Sequence, residues 1–362
     1  MNTPQRMYGL SRQQTVDLCH NTSDVVSILI LGHTGTGKTA LFEELKALNP
    51  DLVACFFDGA NKDTEDMAIP DIKNSDGALS FIPNVELGIH HGKPILLMID
   101  EYPKCNRSIK LKLNALINER RFAGRDLPEG SKVILTGNLG AEGLGDLLEA
   151  HTANRLTVVE MQKPDHMEHV QYMINNNCDP IIMGFAKDNP QLYADFRDVK
   201  NPDDNPYIYH PQAVGRTAFW SCRSAVKLSD VFKRREHLDE HTLTSVAIGT
   251  IGDRAGLDLM AFAKLANQLP SHDSIKDNPN TATVPNNASA VCMVIFRSLA
   301  GMTADFISPF MTYLDRLSPE AQGMFANGVM NDKYHARKLV TTNKKFSEWC
   351  LKHNHMFASD KK

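Results

Sequence analysis

The run Gly32-His33-Thr34-Gly35-Thr36-Gly37-Lys38-Thr39 constrains this chain more than any other feature. It fits G-x-x-x-x-G-K-[ST], follows the apolar run Ser27 to Leu31, and leads into a helical pattern that includes Ala40-Leu41-Phe42. A turn of this kind between a strand and a helix gathers backbone N–H groups around a phosphate, with the positive end of the helix dipole behind it. Lys38 is expected to reach the β- and γ-phosphates of ATP, and the Thr39 hydroxyl to hold Mg²⁺. The expected nucleotide contacts are Gly32, His33, Thr34, Gly35, Thr36, Gly37, Lys38, Thr39 and Ala40.

Such a loop needs a parallel sheet behind it, and the first half of the chain supplies the pattern. Short apolar runs at Ser27 to Leu31, Leu52 to Phe57, Ile95 to Ile99, Lys132 to Thr136 and Leu156 to Met161 alternate with helical stretches. Five parallel strands in an α/β core are therefore predicted. Ile109, Leu113, Leu116 and Ile117 recur at helical spacing, so residues 105–120 should form an amphipathic helix facing the sheet.

Strand signals stop after Lys163-Pro164, and at 362 residues the chain is longer than one core usually serves. The expected division is an N-terminal segment 1–22, a nucleotide-binding core 23–165, a helical lid 166–270, a linker 271–290 rich in Asn, Pro, Ser and Asp, and a C-terminal helical extension 291–362.

Two further strand ends carry candidate chemistry. Ile95-Leu96-Leu97-Met98-Ile99 ends in Asp100-Glu101, and ligands of open parallel sheets bind beyond the carboxyl ends of the strands. Asp100 is expected in the Mg²⁺ shell, and Glu101 is expected to orient and deprotonate the attacking water. After Lys132 to Thr136 comes Gly137-Asn138, and an amide there can hydrogen-bond the γ-phosphate and the water together.

The order of phosphate loop, Asp-Glu strand, Thr136-Gly137-Asn138 and Ala153-Asn154-Arg155 resembles the AAA+ superfamily, and more closely its MoxR-like branch. Thr64-Glu65-Asp66-Met67 with Pro70, Phe81-Ile82-Pro83, Asp100-Glu101-Tyr102-Pro103, Leu113 to Arg120, Gly124 and Leu127-Pro128 are similar in pattern to MoxR-like ATPases carried by bacteriophages. The resemblance implies a magnesium-dependent ATPase working as a homo-hexameric ring that remodels a protein partner, often one with a von Willebrand factor A domain. It also implies that Arg155 enters the ATP site of the neighbouring subunit. The second sensing arginine of such lids is missing, since the chain reads His210-Pro211-Gln212. Arg216 lies four residues after Gln212, one helical turn later, and is the substitute contact expected for the nucleotide.

Charge and cysteine usage bound the alternatives. A formal net charge of -4 gives no overall drive toward nucleic acid or acidic membranes, so a helicase-loader-like motor on DNA or RNA is the second reading. A third is a nucleotide-gated binding module in which Glu101 is nearly dispensable. The short basic groups Lys233-Arg234-Arg235 and Lys333/Arg337/Lys338 read as solvated helix faces, and His90-His91 has no metal-ligand spacing. Seven cysteines without a C-x-x-C pair, no apolar leader and no stretch of ~18 apolar residues predict a soluble, reduced, cytoplasmic protein, in the host cytoplasm if phage-borne.

Overall fold

A computed structural model describes residues 8–73, 79–139, 154–266, 269–332 and 334–353. The chain divides into two compact units, one ending at Pro164 and one beginning at Asp165.

The first unit is built on a parallel sheet. Its strands are β1 (Gly9–Leu10), β2 (Ile28–Gly32), β3 (Val53–Asp58), β6 (Ile95–Asp100), β9 (Lys132–Asn138) and β10 (Thr157–Met161), in the order β1-β10-β2-β9-β6-β3. Two antiparallel hairpins lie outside it, β4 (Ala68–Pro70) with β5 (Phe81–Pro83) and β7 (Arg121–Phe122) with β8 (Arg125–Asp126). The five predicted strands are present, and a sixth, β1, extends the edge by pairing Gly9 with Glu160 and Leu10 with Met161. Two residues carry too little pattern for periodicity to mark them as a strand; the partner β10 makes them one.

Alternation along β2 shows how the layers form. Leu29 packs on one face with Leu97, Ile99, Val133 and Leu135 beneath Ile109, Leu113, Leu116 and Ile117 of helix α3 (Arg107–Glu119). Ile28 and Ile30 pack on the other with Leu96, Met98 and Ile134 against α1 (Arg12–Thr22) and α2 (Leu41–Leu48). Successive side chains of a strand leave opposite faces, so a sheet covered on both sides reads as an unbroken apolar run. That is why the apolar runs predicted here lack alternation. Asn106, whose side chain accepts from the Ile109 N–H, starts α3, and Arg120 ends it in a left-handed conformation (φ 54°).

The second unit is helical: α4 (His166–Asn175), α5 (Pro180–Asp188), α6 (Cys222–Phe232), α7 (Glu240–Ile251), α8 (Asp253–Ala266), α9 (His272–Asp277), α10 (Ala288–Ala300), α11 (Ala304–Leu314), α12 (Pro319–Met330), α13 (Arg337–Thr341) and α14 (Lys344–Lys352). One cluster of buried side chains runs from Val170 to Trp349. The stretch 271–290, read from sequence as a linker, contains α9, and the helices on either side of it share that cluster. Its polarity hid an inward residue, Ile275, which lies in the core. Aromatic contacts thread this core through Phe306, Phe310, Phe325, Phe346 and Trp349, with successive centroids 5.5, 5.1, 6.4 and 6.2 Å apart. Ser318 caps α12 ahead of Pro319, as the sequence predicts.

Other local expectations fare differently. Lys233, Arg234 and Arg235 lie beyond the end of α6 and not on it; Lys233 pairs with Asp230 at 3.2 Å and Arg235 with Asp179 at 2.5 Å. Arg337 opens α13 and pairs with Asp332, while Lys333 lies outside the described residues. All seven cysteines are free thiols, and burial pushes Cys19 up to about 12 and Cys105 to about 11. Among the described residues no cluster of three or more His, Cys, Asp or Glu side chains is grouped as metal ligands, and no helix is long and apolar enough to cross a membrane.

Two stability predictions follow from this packing. Phe310 is fully buried among three aromatic rings, so Phe310→Ala should cost ~3 to 5 kcal/mol in urea denaturation. His169 is buried against Tyr193 (Nδ1 to Oη 2.6 Å), and desolvation lowers its pKa to about 4. The unfolded chain therefore binds more protons below pH ~6.5, and stability should fall as pH drops from ~6.5 toward 4. In His169→Gln that slope should flatten in denaturation midpoints measured across the same window.

Candidate functional site

The carboxyl ends of β2, β9, β6 and β3 lie on one edge of the sheet, where Gly32 pairs with Asn138 and Asp58 with Asp100. The phosphate loop leaves β2 at Gly32 and enters α2. Gly37 sits at φ 88°, a conformation L side chains rarely adopt, and Gly35 at φ 77°. Turn conformations of this kind let backbone N–H groups form a concavity for an anion. Thr36 braces the turn by donating its hydroxyl to the His33 carbonyl at 2.8 Å. Arg12 of α1 reaches the Gly37 carbonyl (3.4 Å) and pairs with Glu44 of α2 (3.0 Å), tying the N-terminal helix to the loop.

Lys38 is 8% exposed. Its ammonium donates to the carbonyls of Gly32 and His33, both at 2.8 Å, and to Asn138 Oδ1 at 2.9 Å. The loop lysine and the amide at the end of β9 are thus in direct contact. Ala40 is exposed at the start of α2 and makes no side-chain cap.

Thr39 Oγ1 lies 3.3 Å from Asp100 Oδ2, bringing together the two residues predicted to hold the metal. A hydroxyl and a carboxylate are hard oxygen donors, and a pair of this kind beside a phosphate site fits Mg²⁺. The other Asp100 oxygen accepts from the Thr136 hydroxyl, and Thr136 Oγ1 also accepts the Glu101 N–H at 3.2 Å. Glu101 is left-handed (φ 52°, ψ 34°), a conformation that costs a non-glycine residue ~1 to 2 kcal/mol. The turn sends the two consecutive carboxylates to different partners: Asp100 to Thr39 and Thr136, Glu101 to Lys104 Nζ at 2.6 Å.

Sequence reasoning did not assign Thr136, Lys104 or Arg12. Thr136 was visible only as a strand residue before Gly137-Asn138; its role depends on strand register, since Leu135 pairs with Ile99 and so sets Thr136 beside Asp100. Gly137 belongs to the same arrangement, because a Cβ there would fall 2.5 Å from Pro103 Cγ in the turn that carries Lys104.

Of the two predicted arginines, Arg155 is exposed, two residues before β10. β10 begins opposite Ile28, four residues before Gly32, which puts Arg155 at the opposite edge of the sheet from the phosphate loop, ~13 Å or more along the strands. Ala153 lies outside the described residues. Gln212 and Arg216 do not share a helix face: residues 211–216 form turns. Pro206 and Pro211 and the short Asp-rich turns leave no apolar stripe there to stabilise a helix. The Arg216 guanidinium instead reaches the carbonyls of Pro202 (2.6 Å), Asn205 (3.4 Å) and Ile208 (3.5 Å) and pairs with Asp203 (3.4 Å), which fastens its own loop.

Thr136→Val keeps the shape of this fully buried side chain but removes both hydrogen bonds. The variant should lose ~1 to 3 kcal/mol in chemical denaturation, and half-saturation by Mg²⁺ in a nucleotide-binding titration should move to higher concentration.

No protein-family profile and no curated protein sequence matches this chain. Solved structures do overlap it. NtrX from Brucella abortus in complex with ADP is 13% identical at a TM-score of 0.40, covering 95% of this chain and 67% of its own. The Thermotoga maritima RuvB Holliday junction branch migration motor is 14% identical at 0.36, covering 82% and 85%. The closed state of Hsp104 with ATPγS and casein is 18% identical at 0.32, covering 42% of this chain, which spans only 32% of the Hsp104 chain. These overlaps are too low to carry an argument; the α/β P-loop fold rests on the strand order, the loop between β2 and α2, and the side chains gathered at the carboxyl edge.

Proposed function

We propose that this chain is a magnesium-dependent ATPase of the AAA+ type. The observation that carries the reading is the meeting of Lys38, Thr39, Asp100 and Asn138 at one sheet edge, with Glu101 one residue further on. In this reading the loop N–H groups and Lys38 hold the β- and γ-phosphates, Lys38 exchanging a carbonyl partner for phosphate oxygen. Thr39 and Asp100 would hold Mg²⁺, which supplies charge neutralisation on the phosphate oxygens. Asn138 orients the attacking water and Glu101 takes its proton. The water oxygen bonds to the γ-phosphorus as the bond to the β–γ bridging oxygen breaks, and ADP departs. Lys104 holds Glu101 through Oε2 at 2.6 Å.

In this reading Arg155 acts between copies: it is exposed and lies at the end of the sheet away from its own phosphate loop, so a role at a γ-phosphate would be toward another copy. A ring, with a hexamer as the form the family resemblance implies, supplies that geometry. For the work done, remodelling of a protein partner is the reading adopted. Ile72 and Leu79 are 93% and 76% exposed beside the β4–β5 hairpin, where Ile69 and Ile82 are also exposed. Apolar side chains grouped this way suit contact with another polypeptide better than with a phosphate backbone. A protein with a von Willebrand factor A domain is the candidate client. Of the basic run 233–235, Lys233 is paired with Asp230 and Arg235 with Asp179.

Phosphate release from Mg-ATP, measured across protein concentrations, tests the chemistry and the assembly together. Glu101→Gln should slow turnover ~10²- to 10⁴-fold with nucleotide binding retained. Specific activity should rise with concentration and fall ~10³-fold or more in Arg155→Ala. Flat activity indifferent to Arg155 would rule out the trans arrangement.

A further inference from the structure

Glu101 leaves β6 in a left-handed turn whose backbone is held from several sides. Its N–H donates to Thr136 Oγ1 at 3.2 Å, and its carbonyl accepts the Lys104 N–H at 2.8 Å. Lys110 of α3 donates to the Pro103 carbonyl at 2.6 Å. Pro103 also closes on Gly137 of β9, where a Cβ would fall 2.5 Å from Pro103 Cγ. With the main chain tied at these points, the freedom that remains at Glu101 lies in its side-chain torsions.

Lys104 takes up that freedom. Its Nζ sits 2.6 Å from Glu101 Oε2, while Oε1 accepts no hydrogen bond from the described residues. The two side chains are 30% and 37% exposed, and an ion pair this open contributes little to stability. Its consequence is geometric. A general base works within ~2.6 to 3.2 Å of the oxygen whose proton it takes, and a misplacement of ~1 Å can cost ~10²-fold in rate. One carboxylate oxygen anchored and the other open meets that requirement.

Charge points the same way. Asp58 of β3 pairs in register with Asp100, so Asp58, Asp100 and Glu101 put carboxylates on neighbouring strand ends. A triphosphate brought to this edge adds more negative charge, and like charges at short range repel. The ammonium of Lys104, in contact with Glu101, offsets that repulsion at the carboxylate that must stay beside the water.

We infer that Lys104 is a positioning residue for hydrolysis: it anchors Oε2 and leaves Oε1 to take the water proton. The inference rests on the ATPase reading above. As the water oxygen bonds to the γ-phosphorus, its proton passes to Oε1, and the electron pair of the broken bond leaves on the bridging oxygen with ADP. Lys104 keeps its own protons throughout and acts through Glu101.

Single-turnover phosphate release from saturating Mg-ATP and, separately, equilibrium binding of Mg-ATPγS test this in the full chain. Lys104→Met keeps most of the stem without the charge. It should slow release about 10- to 100-fold while the nucleotide Kd stays within about twofold. Lys104→Arg should recover most of the rate, and the urea midpoint should not move in either variant. Lys104→Ala reads the same loss if Lys104→Met disturbs folding. Because Lys104 acts through Glu101, the double variant Glu101→Gln/Lys104→Met should be no slower than Glu101→Gln alone. A Lys104→Met rate equal to or above that of the unaltered protein would overturn the inference, as would losses that multiply in the double variant. Either result leaves the ATPase reading standing if Glu101→Gln still slows turnover. Absence of turnover by the unaltered protein would overturn both.

Discussion

The buried ammonium of Lys38 is the interaction on which the first unit's site depends. It closes the phosphate loop on the carbonyls of Gly32 and His33 and, through Asn138, joins the ends of β2 and β9. A charge held at low exposure must be surrounded by oxygen, and here the surrounding oxygens are also the ones that shape the loop. Phosphate oxygens can replace these partners at no change in the number of hydrogen bonds, so a loop built on its own lysine is also ready for an anion. Because Asn138 is one of the partners, the loop and the end of β9 are joined by a direct hydrogen bond.

Around this contact the sheet edge forms a connected polar set. Thr136 links Asp100 to the Glu101 N–H, and Asp100 in turn reaches Thr39 at the start of α2. Thr136 is fully buried, so its hydroxyl must be satisfied locally, and the register of β6 against β9 puts both partners within reach. The left-handed turn at Glu101 is stabilised by the same hydroxyl and by the packing of the 102–104 turn on Gly137. Strain at one residue is thereby offset by contacts from a strand distant in sequence.

The helical unit follows a different principle. Its core is one apolar cluster threaded by aromatic rings, with ion pairs such as Asp179–Arg235 and Arg197–Asp195 outside the cluster. Arg216 belongs to that economy: its donors fasten the 202–208 loop, a use that spacing from Gln212 could not reveal. The polar stretch 271–290 likewise hides a short helix, because within His272–Asp277 Ile275 is the one buried residue and one apolar residue makes no periodicity.

The sequence by itself determined the sheet and the phosphate loop and singled out Lys38, Thr39, Asp100, Glu101 and Asn138 as residues at the strand ends, because strand runs buried on both faces and glycine-dependent turns leave marks in local composition. It determined neither the two-residue edge strand at Gly9–Leu10 nor the partners of Arg216, Thr136 and Lys104. Those depend on which distant residues the packing brings within hydrogen-bonding reach: a two-residue strand exists only beside its neighbour, and a hydroxyl or guanidinium acquires its role from the oxygens around it. Tertiary structure alone also put Arg155 at the edge of the sheet away from the phosphate loop, since strand direction, and not spacing along the chain, decides which end of a parallel sheet a residue occupies.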